Sequence, residues 1–482
     1  MAERRRVLLI VFDGLRPDMI TPALMPHLDR FRDRSASFPL SRTVFPSETR
    51  VAVSSLVTGC PPGRHGLVAN AFVSRTAGRV QTSRLDHLDR LAASRGGNLL
   101  DRLTLGERLA AAGRRMTVIS TASPGATRLL NHRAAELGHV TLSAHGEGAT
   151  QPAEAIEAAT AKAGPIPPGG TPNTARMHWA ADVLLDHVLP DLDPDLAVLW
   201  FSDPDSTWHY KGIGTPEGVA SLNGVDAAFA RVLAWADGEP PESQPLILIM
   251  SDHGHVTTRA TVDMPALVRE RFGEQDHQAG YSGGITLAGD DPQALAEVAE
   301  WLLAQPWCGQ VFTRGGDGSV GLVPGSFDRR LVHCDHPDSP DIYYTLTTDD
   351  GLDAHGVDGG CLFHNAIPVG GSMHGGLHPR ELANVLMVGG VGARSGYASP
   401  LPAGTIDVAP TILAHLGLPH EDGIEGRVLA EALAGGVETG TASVEEIHSG
   451  HRRLVRRLYA GRAYLDMAAD LRPVDTGATD PA

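Results

Sequence analysis

Three short apolar runs, each followed by aspartate, do most to limit how this chain can fold. Val7–Phe12 (VLLIVF) runs into Asp13, residues 197–201 run into Asp203 and Asp205, and Leu246–Met250 (LILIM) runs into Asp252 and His253. Each run is too short for a helix and suits a strand buried on both faces, as does Met116–Ser120. Helical patterns lie between and after them, at 98–112, 174–188, 219–236 and 291–304. The first closes at Gly113, a suitable C-terminal cap. Strands alternating with helices predict an α/β fold, a central and mostly parallel sheet flanked by helices. In such sheets the functional crevice lies beyond the carboxyl ends of the strands, where these aspartates would converge.

The rest of the chain divides around that core. At 482 residues it is long enough for about three domains, or for one core with insertions. Residues 1–255 and 370–435 read as the core. A Gly- and Asp-rich stretch, 256–369, reads as an inserted cap, with a short strand at 342–348. A late αβ pattern (384–389, then 407–416) returns to the core, and 164–173 (GPIPPGGTPN) is a loop. Residues 436–482 read as a C-terminal helix and a frayed tail. The arginines at 452, 453, 456 and 457 would lie on the solvated or oligomer-facing side of that helix.

Composition excludes several classes. With 42% hydrophobic and 20% charged residues the chain is neither disordered nor a rod. Its net charge of −17 lacks the basic footprint of a nucleic-acid binder, though metal ions can reverse the sign of a single cleft. Among the basic residues only Lys162 and Lys211 are lysines. Cys60, Cys308, Cys334 and Cys361 form no CxxC pair, against a zinc knuckle or a disulfide scaffold. The first apolar run is too short for a signal segment or a membrane span, so the expectation is a cytoplasmic protein with no membrane association.

Carboxylates and neutral imidazoles together suit zinc. Asp205 and His209 form a D-x3-H pair, Asp252 and His253 are adjacent, and a further cluster, MHGGLHPREL, contains His374. Residues 45–70, FPSETRVAVSSLVTGCPPGRHGLVAN, include a short helix candidate, Thr49–Thr58, closed by Gly59. A hydroxyl at a helix N-terminus sits in a field that favours an anion, and a metal would activate it as a nucleophile.

Together, and in this order, these motifs resemble the alkaline phosphatase superfamily, and within it the type I phosphodiesterase/nucleotide pyrophosphatase family. The resemblance spans Asp13 to His374. Thr49 lies nine residues before the Thr58-Gly59 pair, as the family's nucleophile does, and His65-Gly66 is followed by Asn70 at the family's spacing. Asp205…His209, the SDHG run Ser251–Gly254 and His374-Gly375 complete the set. The resemblance implies two Zn2+ ions, other divalent metals being possible. One is held by Asp205, His209 and His374, the other by Asp13, Asp252 and His253 with Thr49. It implies attack by Thr49 on phosphorus, a phospho-threonine intermediate, and Asn70 donating to a phosphoryl oxygen. The implied partner is a small-molecule phosphoryl ester, not a nucleic-acid polymer.

Other readings compete. Cys60-Pro-Pro-Gly-Arg64 fits the C-x-P-x-R pattern of sulfatases, but it follows the Thr-Gly pair instead of preceding it. Ser47 is a second hydroxyl near Thr49, and His255 and His378 flank the matched histidines. Asp203 reads either as a support for the ligands or as a loop cap. Nucleotide-cleaving relatives carry an aromatic residue next to the Thr, where this chain has Arg50, an expected substrate-binding residue for a second phosphate or a carboxylate. Phosphonoacetate-like hydrolysis, phosphomonoester hydrolysis and, more distantly, non-catalytic metal binding are the alternatives. Two lysines fit the phosphonoacetate reading poorly.

Overall fold

The computed structural model describes residues 5–273, 283–363, 367–420, 422–437 and 439–471, with the backbone of 277–279. Its centre is an eight-stranded sheet. The strand order is Tyr397–Ala398, Ala36–Ser37, Leu386–Gly390, Leu246–Met250, Val7–Phe12, Leu196–Phe201, Met116–Ser120, Val140–Ser143. From Leu246–Met250 to Val140–Ser143 every pairing is parallel. Leu386–Gly390 pairs antiparallel with both its neighbours. The three Asp-terminated strands are therefore side by side in the middle of the sheet, in register from Val7↔Leu196 and Val7↔Leu246.

Both faces of the sheet are covered, which is why its strands read as continuous apolar runs. One face packs on Thr49–Thr58, Leu105–Ala111, Pro124–Leu130 and Val408–His415. The other packs on Thr174–Val183 and the long helix Pro216–Gly238. The helix expected at 98–112 forms only at Leu105–Ala111. Thr104 and Glu107 build a capping box there, and this fixes the start.

Residues between Val256 and Met373 build two further sheets. A four-stranded one contains Val256–Thr261, Thr348–Leu352, Asp358–Phe363 and Ser372–Met373. A five-stranded one contains Gly284–Leu287, Cys308–Thr313 and Ile342–Leu346, packed on Met264–Phe272 and Pro292–Leu303.

The C-terminal segment corrects the expectation of a helix. It is a three-stranded antiparallel sheet, Ser443–Ser449, Arg452–Tyr459 and Arg462–Asp470. Ala460 and Gly461 take φ values of 50° and 76°, the positive pair that a two-residue hairpin turn needs. Three of the four arginines find close partners within the chain. Arg452 is fully buried and donates to the Gly309 carbonyl at 2.6 Å. Arg456 pairs with Glu445, and Arg457 with Asp466 at 2.8 Å. Leu454, Leu465 and Ala468 bury against Phe312, Phe327 and Tyr343. The tail expected to fray lies outside the described residues.

Candidate active site

Asp13 leaves the central strand with its backbone still bonded to the Phe201 carbonyl. Asp205 opens the helix Asp205–Lys211, so His209 falls one turn later on the same face, its Nε2 3.1 Å from Asp205 Oδ1. Asp252 and His253 leave Leu246–Met250. Ser251 fixes that exit by accepting from the Val385 and Asn384 N–H groups. His374 follows the strand Ser372–Met373. These side chains meet in two groups able to hold a cation, Asp205 with His209, His255 and His374, and Asp13 with Asp205 and His253. Asp252 adjoins the second group, its Oδ2 3.2 Å from His253 Nε2.

The donor set fits metal ions. Nδ1 of His209, His253 and His374 each faces a backbone carbonyl, of Ser372 (2.8 Å), Gly254 (3.1 Å) and Ser47 (2.7 Å). A carbonyl only accepts, so each Nδ1 carries the proton and each Nε2 is left as a lone pair. Those Nε2 atoms point at carboxylate oxygens, an arrangement that calls for a cation between them. Asp13 Oδ1 and Asp252 Oδ2 are buried without a hydrogen-bond partner, a costly state that a cation relieves. Burial, then the charges of Asp252 and Asp205, holds the Asp13 carboxyl well above its ordinary range. Burial and the neighbouring His253 pull His374 down to about 4, so its imidazole is neutral near pH 7.

Thr49 is the first residue of its helix, and its Oγ1 lies 3.2 Å from His253 Nε2. Asn70 Oδ1 accepts from the Arg50 backbone N–H at 3.3 Å, which leaves the amide NH2 to donate. Arg50 and Asn70, the neighbours of Thr49, line a cavity of about 430 Å3 together with Glu48, His209, His374, Glu381, Tyr344, Leu346 and Leu362. Tyr210 is exposed at this cavity, whereas Phe72 and Trp208 are buried packing.

The remaining sequence candidates have structural duties. Ser47 Oγ donates to the Gly376 carbonyl and accepts from Gly375 N–H, both at 2.9 Å, and so fixes the His374 loop. His378 caps Pro379–Leu382 and bonds Asp350 at 3.0 Å. Asp203 accepts from Asn173 N–H and Thr207 Oγ1, a loop cap. The Cys60 thiol meets the Gly423 carbonyl. Sequence reasoning gave no role to His255, which is fully buried. Its Nε2 is 2.9 Å from Asp205 Oδ1 and its Nδ1 3.0 Å from Ser372 Oγ. Its signal was its position two residues beyond His253 in an extended segment, where alternate residues share a face.

The family model for type I phosphodiesterase / nucleotide pyrophosphatase matches residues 7–304, more than half the chain. The chain belongs to this family. Membership places it among hydrolases of phosphoryl esters. Two solved structures show the same fold, that of the alkaline phosphatase superfamily. Murine ectonucleotide pyrophosphatase / phosphodiesterase 5, as an inactive form in complex with AMP, is 14% identical with a TM-score of 0.62. Phosphonoacetate hydrolase from Sinorhizobium meliloti 1021, in complex with phosphonoacetate, is 19% identical with a TM-score of 0.61. In both comparisons 86% of this chain and 96% of the other are covered. No curated protein matches the sequence. Among the described residues, no helix is long and apolar enough to cross a membrane.

Proposed function

We propose that the protein hydrolyses phosphodiester or pyrophosphate bonds at a two-zinc centre, with Thr49 as nucleophile. The observation that carries this reading is the Thr49 hydroxyl at a helix N-terminus, 3.2 Å from His253 Nε2 and beside carboxylates with unpaired buried oxygens. Asp205, His209 and His374 would hold one zinc, and Asp13, Asp252 and His253 the other, with Thr49 as its fourth ligand. Bound zinc supplies Lewis acidity for the displacement.

Thr49 Oγ attacks phosphorus as its proton passes to solvent. The Oγ–P bond forms while the bond to the leaving oxygen breaks in line. Asn70 donates its NH2 to a non-bridging oxygen, and the helix N-terminus favours the charge that develops there. Water then splits the Oγ–P bond and restores the hydroxyl. Residues 256–369 act as the cap that roofs the cavity. The four cysteines are buried free thiols, in keeping with a cytoplasmic protein.

The test compares initial rates on bis-p-nitrophenyl phosphate and p-nitrophenyl phosphate for wild type and Thr49→Ala, with zinc content measured in both. The expected result is diester preference, and loss of about 10^3-fold or more in Thr49→Ala with metal retained. Near-normal turnover in Thr49→Ala would sink the nucleophile assignment. Monoester preference would move the substrate class.

A further inference from the structure

The cavity beside Thr49 contains a cation whose side-chain hydrogen bonds, among the described residues, go to no carboxylate. Among the described residues that line it, Arg50 is the only arginine or lysine. Its guanidinium is held by two neutral hydroxyls, Nε donating to Thr82 Oγ1 at 2.9 Å and Nη1 to Ser123 Oγ at 3.3 Å. Both hydroxyls are themselves fixed. Thr82 Oγ1 donates to the Asn70 carbonyl at 2.8 Å, and Ser123 caps the helix Pro124–Leu130. The two segments are pressed together at Gly125, where a Cβ would lie 1.8 Å from the Thr82 carbonyl oxygen.

Three other enclosed arginines are paired with carboxylates. Arg16 pairs with Asp18 and Asp358, Arg95 with Asp338, and Arg427 with Glu431. Orienting a guanidinium through hydroxyls alone keeps its charge available and its fork aimed. Arg50 is also tied to the reacting end of the cavity. It follows Thr49 on the first helical turn, and its N–H holds Asn70 Oδ1.

We propose that Arg50 is a specificity-determining residue that selects esters whose phosphorus carries a substituent with a second anionic group, a carboxylate or a phosphoryl group. This rests on the phosphoryl-ester reading above. Selection is by charge, at the position beside the nucleophile. The anion that arrives receives two N–H bonds from a fork already in place, so little side-chain freedom is lost on binding.

The test uses p-nitrophenyl esters of three phosphonic acids that differ only in the second substituent, methyl, carboxymethyl or phosphonomethyl. All release the same p-nitrophenolate. Wild type, zinc-loaded, is expected to favour at least one anionic ester over the methyl ester by about 10- to 100-fold in kcat/KM. The two anionic arms tell a carboxylate from a phosphoryl group. In Arg50→Gln that ratio is expected to fall close to one. Thr82→Val, which removes the hydroxyl that orients Nε, should lower it severalfold. A wild-type ratio near one would overturn the proposal, as would a ratio that survives in Arg50→Gln and Thr82→Val. Turnover of bis-p-nitrophenyl phosphate without anionic preference would defeat this inference alone. No turnover of any ester would defeat the function reading and this inference with it.

Discussion

Asp205 is shared by three imidazoles, and its geometry decides what each can do. His209 and His374 approach its Oδ1 at 3.1 and 3.4 Å, while His255 approaches at 2.9 Å from a fully buried position. His255 fixes the carboxylate that the other two need. Replacing it with Gln should weaken zinc binding about 10- to 100-fold, read by metal titration of the apoprotein. Unchanged affinity would reduce His255 to packing. Asp252→Asn should lose both zinc and activity, and near-normal values of both would remove Asp252 from the ligand set. His65 carries a different consequence. Its Nδ1 accepts from Leu67 N–H, so Nε2 donates to Ser55 Oγ at 2.9 Å and the ring is neutral. Burial, helped by His336 and Arg95, lowers it to about 3. A depressed histidine leaves the unfolded chain binding more protons between pH 6.5 and 3. Its contribution is therefore complete above about pH 6.5 and is lost as pH falls, by about 2 kcal/mol at pH 5. Chemical denaturation of His65→Gln between pH 7 and pH 5 should show a flatter pH dependence than wild type. Parallel curves would contradict the assignment.

At the scale of elements, the turn after Val7–Phe12 is a tight join in the site. Gly14 has a φ of +70°, and a Cβ there would lie 2.5 Å from His255 Nε2 and 3.0 Å from Asp205 Cβ. Gly14→Ala should cost about 1 kcal/mol in backbone strain and more through displacement of His255. A lower Tm together with weaker zinc binding is the expected result, and an unchanged pair of values would count against it. The central strands were legible in the sequence because parallel strands buried on both faces must be apolar throughout. Their aspartates were legible because Asp13, Asp205 and Asp252 interrupt those runs at the crevice. His255 was not, since burial and the contact with Asp205 depend on the strand Ser372–Met373, far away in the chain. The C-terminal hairpins escaped notice for a related reason. Arg452, Arg456 and Arg457 look like a solvated helical face until Gly309, Glu445 and Asp466 supply their partners.

At the scale of the molecule, buried ion pairs tie the span 256–369 to the core. Arg16 is fully buried, and its guanidinium reaches Asp358 Oδ1 at 2.6 Å and the carbonyls of Asp358 and His255. Arg95 meets Asp338 at 2.6 Å. Arg16→Met would leave the partly exposed Asp358 with Arg380 alone and should cost roughly 1–3 kcal/mol. The expected signs are a lower Tm and faster limited proteolysis within 256–369, and wild-type resistance to protease would contradict the tie.

The position of Val7–Phe12 has a further consequence, for biosynthesis. This strand leaves the ribosome well before its two neighbours, which begin at Leu196 and Leu246. Until then an apolar segment with open edges waits in the nascent chain, exposed to wrong partners. His374, the last residue of the proposed metal site, is translated later still. The growing polypeptide therefore cannot complete that site until most of the chain has been made.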